Sequence, residues 1–111
     1  MATTDDVRRL ALALPETSEK PCYGTPGFYV RKKLFARLRD DGTTLVAKVD
    51  MGERELLLAA EPETFFITDH YREWPYMLVR LSAIHDDELL EVLTDSWLLA
   101  APKRLAATLD P

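Results

Sequence analysis

Apolar residues recur with helical spacing at both ends of the chain. Near the start, this spacing predicts a helix over 5–14 that Pro15 ends. Near the end, it predicts a long helix reaching Ala100, and Pro102 suits the first position of a further helix. The two apolar stripes comprise Val7, Leu10, Ala11 and Leu14 at the start and Leu89, Leu90, Leu93 and Trp97 at the end.

Between these helices, the apolar spacing becomes alternating, which is typical of strands. The preceding segment 16–27 is rich in proline and glycine, so we predict an ordered loop there. Segment 51–60 suits a short helix. Five strands are predicted, over residues 28–31, 34–39, 43–50, 65–68 and 76–81. This order predicts an α+β fold, a two-layer sandwich in which helices pack on one face of an antiparallel five-stranded sheet.

The composition fits a single domain over residues 1–111, with a 47% apolar content that is enough for a core. No apolar run approaches the roughly 18 residues that span a bilayer, so no membrane partner is expected. The polar, acidic start of the chain is unlike a signal peptide. Cys22 is the only cysteine and cannot form an intramolecular disulfide, which favours a cytoplasmic location.

Positive charge is concentrated in one stretch of an otherwise acidic chain. The formal net charge is −5, yet residues 28–48 carry six basic side chains against only Asp40 and Asp41. A local basic surface can attract phosphate even when the net charge is negative. The basic residues of this stretch are Arg31, Lys32, Lys33, Arg37, Arg39 and Lys48.

Strand alternation predicts that Lys33, Phe35, Arg37 and Arg39 share one face of the second strand. Arginine and lysine would bind phosphate oxygens there, and an aromatic ring such as Phe35 or Tyr29 could stack on an unpaired base. Two other interpretations stay open. The cations could form an ordinary solvated face, and Phe35 could be covered by another element or a second subunit.

No catalytic constellation is present in the sequence, so we predict a protein that is not an enzyme and uses no cofactor. Cys22 lies far in sequence from both histidines, and Ser96 lacks the context of a nucleophile elbow. Asp87 and Asp95 belong to a stripe of carboxylates at helical spacing that favours a solvated face over a metal site.

The segment 69–75 contains Tyr71 and Trp74 at a predicted connection between strands, a composition typical of loops that bind a partner. The alternative is that both rings fold back against the edge of the core. A protein or peptide partner, or a second copy of the chain, would use these two residues together with Phe35.

Several short segments occur along the chain in the order Leu12-Ala13-Leu14-Pro15, Tyr23-Gly24-Thr25-Pro26-Gly27-Phe28, Lys33-Leu34-Phe35-Ala36, residues 74–81, and the run Ser96-Trp97-Leu98-Leu99-Ala100-Ala101-Pro102-Lys103-Arg104-Leu105. In this order they resemble the MmcQ/YjbR family over almost the whole chain. The resemblance implies a two-layer fold similar to CyaY or to secretion chaperones, and DNA binding through two β-hairpin wings. It places the wings at turn 31–33 or 40–42 and at loop 69–75, with Lys103 and Arg104 as phosphate contacts.

Two functions of different classes follow from the sequence. The first is DNA binding through the basic hairpin face, in which turn 31–33 is favoured over the acidic turn at Asp40 and Asp41. The second is a non-catalytic adaptor that binds a protein or peptide on the open side of the sheet. Iron binding by analogy with the CyaY-like fold has little support, because the first helix offers only Asp5 and Asp6.

Overall fold

The computed structural model describes residues 1–109 and contains four helices and six strands in that range. Short 3-10 turns lie at Asp69–Tyr71 and Leu81–Ala83. The helices are α1 (Thr4–Leu12), α2 (Met51–Ala60), α3 (Asp86–Ala100) and α4 (Lys103–Leu109), and the strands are β1 (Thr17–Cys22), β2 (Thr25–Val30), β3 (Lys33–Leu38), β4 (Thr44–Lys48), β5 (Phe65–Phe66) and β6 (Tyr76–Arg80).

The strands form one antiparallel sheet in the order β1-β2-β3-β4-β6-β5. The α+β class is as predicted, but the sheet has six strands rather than five. The additional strand is β1, which lies within the segment predicted as a loop. Its proline, Pro21, is tolerated because β1 lies at the edge of the sheet, where one side of the ladder has no partner.

The hydrophobic core lies between the sheet and the helices. Helix α3 crosses β3 and β4, α1 packs against α3 and β1, and α2 packs beside β5 and β6. The largest buried side chains of this core include Trp97 and Phe28. Trp97 also donates a hydrogen bond from Nε1 to the carbonyl oxygen of Pro15 at 3.0 Å, which fixes α3 to the segment that follows α1. None of the helices within residues 1–109 is both long and apolar enough to cross a membrane.

The alternation in β3 is broken by a β-bulge, and the prediction for Phe35 is wrong for this reason. The register between β2 and β3 shifts between Phe28 and Tyr29, so that Phe28 pairs with Ala36 while Tyr29 pairs with Leu34. Phe35 is the unpaired residue of the bulge and turns into the helix-facing core, where it is 0% exposed. It therefore does not share a face with Arg37 and is not available to a partner.

Candidate binding face of the sheet

The open face of the sheet, which is the side opposite the helices, carries a continuous cross-strand row. The register places one residue from each of the six strands in this row. Because residues directly paired across neighbouring strands point to the same side, the row defines the chemistry of the face. The row runs Lys20, Gly27, Arg37, Val46, Leu78 and Phe66.

Cations on the open face lie over aromatic rings. The guanidinium of Arg37 is 6.0 Å from the ring centre of Tyr23, and that of Arg80 is 4.0 Å from the ring centre of Phe66. The ammonium of Lys20 lies 5.8 Å from the ring centre of Tyr29. A fourth pair, Lys48 over Tyr76, has the same spacing of 5.8 Å. Such pairs hold the charge against the ring while leaving it accessible to an anion.

Ion pairs lie elsewhere on the molecule. Arg8 and Arg9 of α1 pair with Glu19 and Asp86, respectively. Arg72 pairs with Asp69 within the 69–75 loop. Among residues 1–109, none of the five cations of the open face forms an ion pair. These five are Lys20, Arg37, Arg39, Lys48 and Arg80.

A cleft of about 300 Å³ opens on this face above β3 and β4. Its floor is formed by Leu34, Arg37 and Val46. The β1–β2 turn forms one wall and the 69–75 loop forms the other. In the described part of the chain, no lining residue is acidic, so the cleft has a positive character. The wall residues are Cys22, Tyr23, His70, Tyr71, Trp74 and Tyr76.

Arg37 is the charged group of the cleft. Its Nη1 donates to the hydroxyl of Thr25 at 3.2 Å, and its Nη2 donates to the phenol oxygen of Tyr71 at 3.0 Å. A guanidinium has five N–H donors. Within residues 1–109, the other three donors of Arg37 have no hydrogen-bond partner. The two hydroxyls therefore orient the group without neutralising it.

The 69–75 loop is held over the sheet by Arg54 of α2. Arg54 is only 3% exposed, and its Nη1 donates to the carbonyl oxygens of Tyr71, Trp74 and Tyr76 at 3.1, 2.9 and 3.0 Å. Its Nη2 donates to the carbonyl of Arg72 at 2.8 Å. A buried guanidinium bound to four backbone oxygens fixes the path of the loop. The loop backbone is thus tied to α2, and the Tyr71 side chain reaches Arg37 on the open face.

The β1–β2 turn places Tyr23 at the opposite wall in an unusual backbone conformation. Tyr23 and Gly24 both have positive φ, 53° and 82°, as the two central residues of a type I′ hairpin require. A bulky residue is disfavoured in this left-handed region, where asparagine and glycine are preferred. The Tyr23 side chain is nevertheless 95% exposed beside the cleft. A strained, exposed aromatic residue at a cleft is a candidate for function.

Two phenols of the open face, those of Tyr29 and Tyr76, have raised pKa values. Burial raises the pKa of Tyr29 and of Tyr76 above 10.0, and Cys22 adds to the rise in both cases. These two phenols therefore contribute no negative charge that would compete for the cations.

The basic residues predicted from the sequence lie in three places: the open face, the β2–β3 turn and helix α4. Arg37, Arg39 and Lys48 lie on the open face, and Arg37 and Arg39 line a common hollow beside Tyr23. Arg31 is neutralised by Glu16, with Nε–Oε1 and Nη2–Oε2 distances of 3.1 and 3.3 Å.

The remaining predicted cations lie away from the open face. Lys32 and Lys33 are exposed at the β2–β3 turn. Lys103 and Arg104 are exposed on α4, where Lys103 lies beside Leu98 of α3 in the helical layer. Turn 31–33 and α4 therefore do not join the surface formed by Arg37.

The two aspartates of turn 40–42 have different surroundings. Asp41 accepts hydrogen bonds from the backbone N–H groups of Thr43 and Thr44 and from the Thr44 hydroxyl, at 2.9, 3.0 and 2.8 Å. Burial opposes ionisation, but these hydrogen bonds outweigh it and lower the pKa of Asp41. Asp41 therefore shapes the turn, while Asp40 lines the hollow beside Arg39.

Sequence reasoning missed several residues of the site. Lys20 and Tyr23 lie in the segment predicted as a loop, and Arg54 lies on a helix that had no assigned role. The signal for Tyr23 was its place before Gly24, because a Tyr-Gly pair between two short strands fits a two-residue hairpin. The two predicted aromatic residues of the 69–75 loop differ in position. Tyr71 is partly buried and lines the cleft, whereas Trp74 is 61% exposed at its rim.

Comparisons with known proteins agree with this fold. The YjbR family model matches residues 12–99. The chain is 34% identical to the uncharacterized protein Rv2570 of Mycobacterium tuberculosis, over 95% of this chain and 93% of that protein. The uncharacterized protein Mb2600 of Mycobacterium bovis matches equally. The crystal structure of Deinococcus radiodurans protein DR2400, with the family-model domain DUF419, has a TM-score of 0.77 and 28% identity, and the match covers 94% of this chain and 82% of that chain. The chain belongs to the YjbR family, as the sequence resemblance indicated.

Proposed function

We propose that the protein binds single-stranded DNA on the open face, without catalytic activity. The observation that carries the proposal is the placement of ion-pair-free cations and aromatic rings on one side of the sheet within residues 1–109. Cations there would bind phosphates, and exposed rings would stack on bases. The unpaired Cys22 supports a reducing, cytoplasmic setting for this function.

A single strand suits this face better than a duplex. Unpaired bases expose flat surfaces that stack on aromatic side chains, whereas the bases of a duplex are covered by their neighbours. Tyr23 and Trp74 are the exposed rings, and they flank the central cation Arg37. Because every base has such a surface, this arrangement predicts binding with little sequence preference.

The proposal is tested by fluorescence anisotropy with a labelled oligothymidylate across a range of salt concentrations. We expect the logarithm of affinity to fall linearly with the logarithm of salt concentration. The slope is about 0.7 per phosphate contact for a single strand. Replacing Arg37, Arg39 and Lys48 with glutamine should reduce the slope by about 2, since three contacts are lost.

A matched control uses the cations of the helical layer. The double variant Lys103→Gln, Arg104→Gln also removes positive charge, but from α4, and should retain nearly wild-type binding. An absence of binding at low salt would overturn the proposal. So would an equal loss per charge in the α4 variant, because it would show that net charge rather than the open face determines the affinity.

A further inference from the structure

We propose that the cleft around Arg37 is a binding site for a small aromatic carboxylate. This site goes beyond the surface that would bind a nucleic acid strand, because it is a concave feature with one oriented cation at its floor. Its walls come from two separate segments, the β1–β2 turn and the 69–75 loop.

The charge of the cleft indicates a ligand with a single negative charge. Among the lining residues within 1–109, Arg37 is the only arginine or lysine, and none is an acid. Its three N–H groups without partners in that range leave room for a paired hydrogen bond to the two oxygens of a carboxylate. Thr25 and Tyr71 hold the guanidinium in place, so little side-chain freedom is lost on binding.

The walls indicate a flat apolar body for the same ligand. Tyr23 and Trp74 are exposed rings on opposite walls, and Leu34 and Val46 give an apolar floor on either side of the arginine. An aromatic ring between these walls would stack on the exposed rings of Tyr23 and Trp74. The hydrogen bond from Arg54 to the carbonyl oxygen of Trp74 fixes the backbone of that wall.

The size of the cleft limits the ligand to one or two fused rings. A volume of about 300 Å³ lies at the lower end of small-molecule sites, which range over roughly 300–1,000 Å³. The ligand class is therefore a small aromatic monocarboxylate, and 2-naphthoate is a suitable probe.

The test is isothermal titration calorimetry of the purified full-length chain with 2-naphthoate, without nucleic acid. We expect saturable binding to one site. The neutral 2-naphthamide should bind at least about tenfold more weakly because it lacks the charge that pairs with Arg37. Acetate, which has the carboxylate but no ring, should show no saturable binding over the same range.

Variants assign the binding to the cleft. Arg37→Gln should reduce 2-naphthoate to the affinity of 2-naphthamide, and Trp74→Ala should weaken both probes. The double variant Arg39→Gln, Lys48→Gln should weaken oligothymidylate but leave 2-naphthoate unchanged, which separates this site from the proposed function. Arg37→Lys provides a variant that keeps the positive charge, in case Arg37→Gln does not fold.

Four results would overturn the proposal. The first is no saturable heat with 2-naphthoate. The second is equal affinity for the acid and the amide. The third is wild-type affinity in a folded Arg37→Gln variant. The fourth is a set of amide N–H chemical-shift changes in NMR spectra that map away from Tyr23 and the 69–75 loop.

Discussion

The phenol oxygen of Tyr71 accepts a hydrogen bond of 3.0 Å from Nη2 of Arg37. The two residues come from distant parts of the chain, the 69–75 loop and strand β3. Because the carbonyl of Tyr71 is also bound by Arg54, the residue connects the buried arginine of α2 with the arginine of the cleft. The orientation of Arg37 therefore depends on the position of the 69–75 loop.

Removing the Tyr71 hydroxyl should lower stability without changing the shape of the loop. We expect Tyr71→Phe to reduce the free energy of unfolding by about 0.5–1.5 kcal/mol, the usual contribution of one hydrogen bond, as measured by urea denaturation. Tyr23→Phe is the control, because the Tyr23 hydroxyl makes no hydrogen bond within residues 1–109. An equal loss in the two variants would contradict the role assigned to the Arg37 contact.

Removing the Arg54 guanidinium should destabilise the fold more than removing the Tyr71 hydroxyl does. Arg54→Met leaves four backbone carbonyls without their buried donor, so we expect the free energy of unfolding, measured by urea denaturation, to fall by about 3 kcal/mol, the upper end of the cost of unsatisfied buried polar groups. The fluorescence of Trp74 should change in the folded variant because its loop is released.

Arg72→Ala is the control for the Arg54 variant, because Arg72 lies in the same loop but pairs with Asp69 on the surface. Arg72→Ala should lower the free energy of unfolding by less than about 1 kcal/mol. A comparable loss from Arg72→Ala would indicate that the surface ion pair, and not the buried guanidinium, holds the loop.

Replacing Tyr23 with asparagine should stabilise the fold and weaken binding. Asparagine adopts the left-handed conformation readily, which more than offsets the lost contact with Arg37. We expect Tyr23→Asn to raise the free energy of unfolding by about 0.5–1 kcal/mol while lowering the affinity for oligothymidylate. Stability that falls, or binding that stays the same, would remove the argument that Tyr23 is placed there for function.

Stability should depend on the ionisation of Asp95 on α3. Partial burial of this exposed residue raises its pKa above 3.8, and the nearby carboxylates of Glu53 and Glu91 add to the rise. The folded state therefore binds the proton more tightly than the unfolded state, so stability falls as pH rises from about 3.8 through the raised pKa. Asp95→Asn should stabilise the protein at pH 7 by a few tenths of a kcal/mol, since the site is largely exposed.

The gain from Asp95→Asn should disappear at acidic pH, because both side chains are then neutral. Thermal unfolding at pH 7 and below pH 3.8 measures the difference. Glu55→Gln, which removes the same charge from an exposed position of α2, should have little effect at either pH. A gain from Asp95→Asn that persists in acid would show that the charge is not its cause.

The sequence pattern was sufficient for the helices and for the central strands, because their apolar spacing is regular and their ends carry turn residues. The boundaries of α2, Met51–Ala60, agree with the prediction. The pattern did not reveal β1, because prolines and glycines in an edge strand resemble a loop. It also placed Phe35 wrongly, because one bulged residue reverses the face of every position before it in the strand.

The candidate site was predicted only in part. Arg37, Arg39 and Lys48 were identified from local charge, since alternation holds after the bulge. The contact of Tyr23 with Arg37 and the hydrogen bonds of Arg54 to the 69–75 loop join segments far apart in sequence. Local spacing does not encode such contacts. Arg31 was misjudged for the same reason, since its partner Glu16 is 15 residues away.

Because its backbone is bonded to Arg54, the 69–75 loop would not keep its conformation without α2. Transplanting the loop onto another antiparallel sheet would carry the aromatic side chains but leave behind the helix that holds their backbone. A successful graft would need α2 and the loop to be moved together, with β6 supplying the carbonyl of Tyr76 that completes the arrangement.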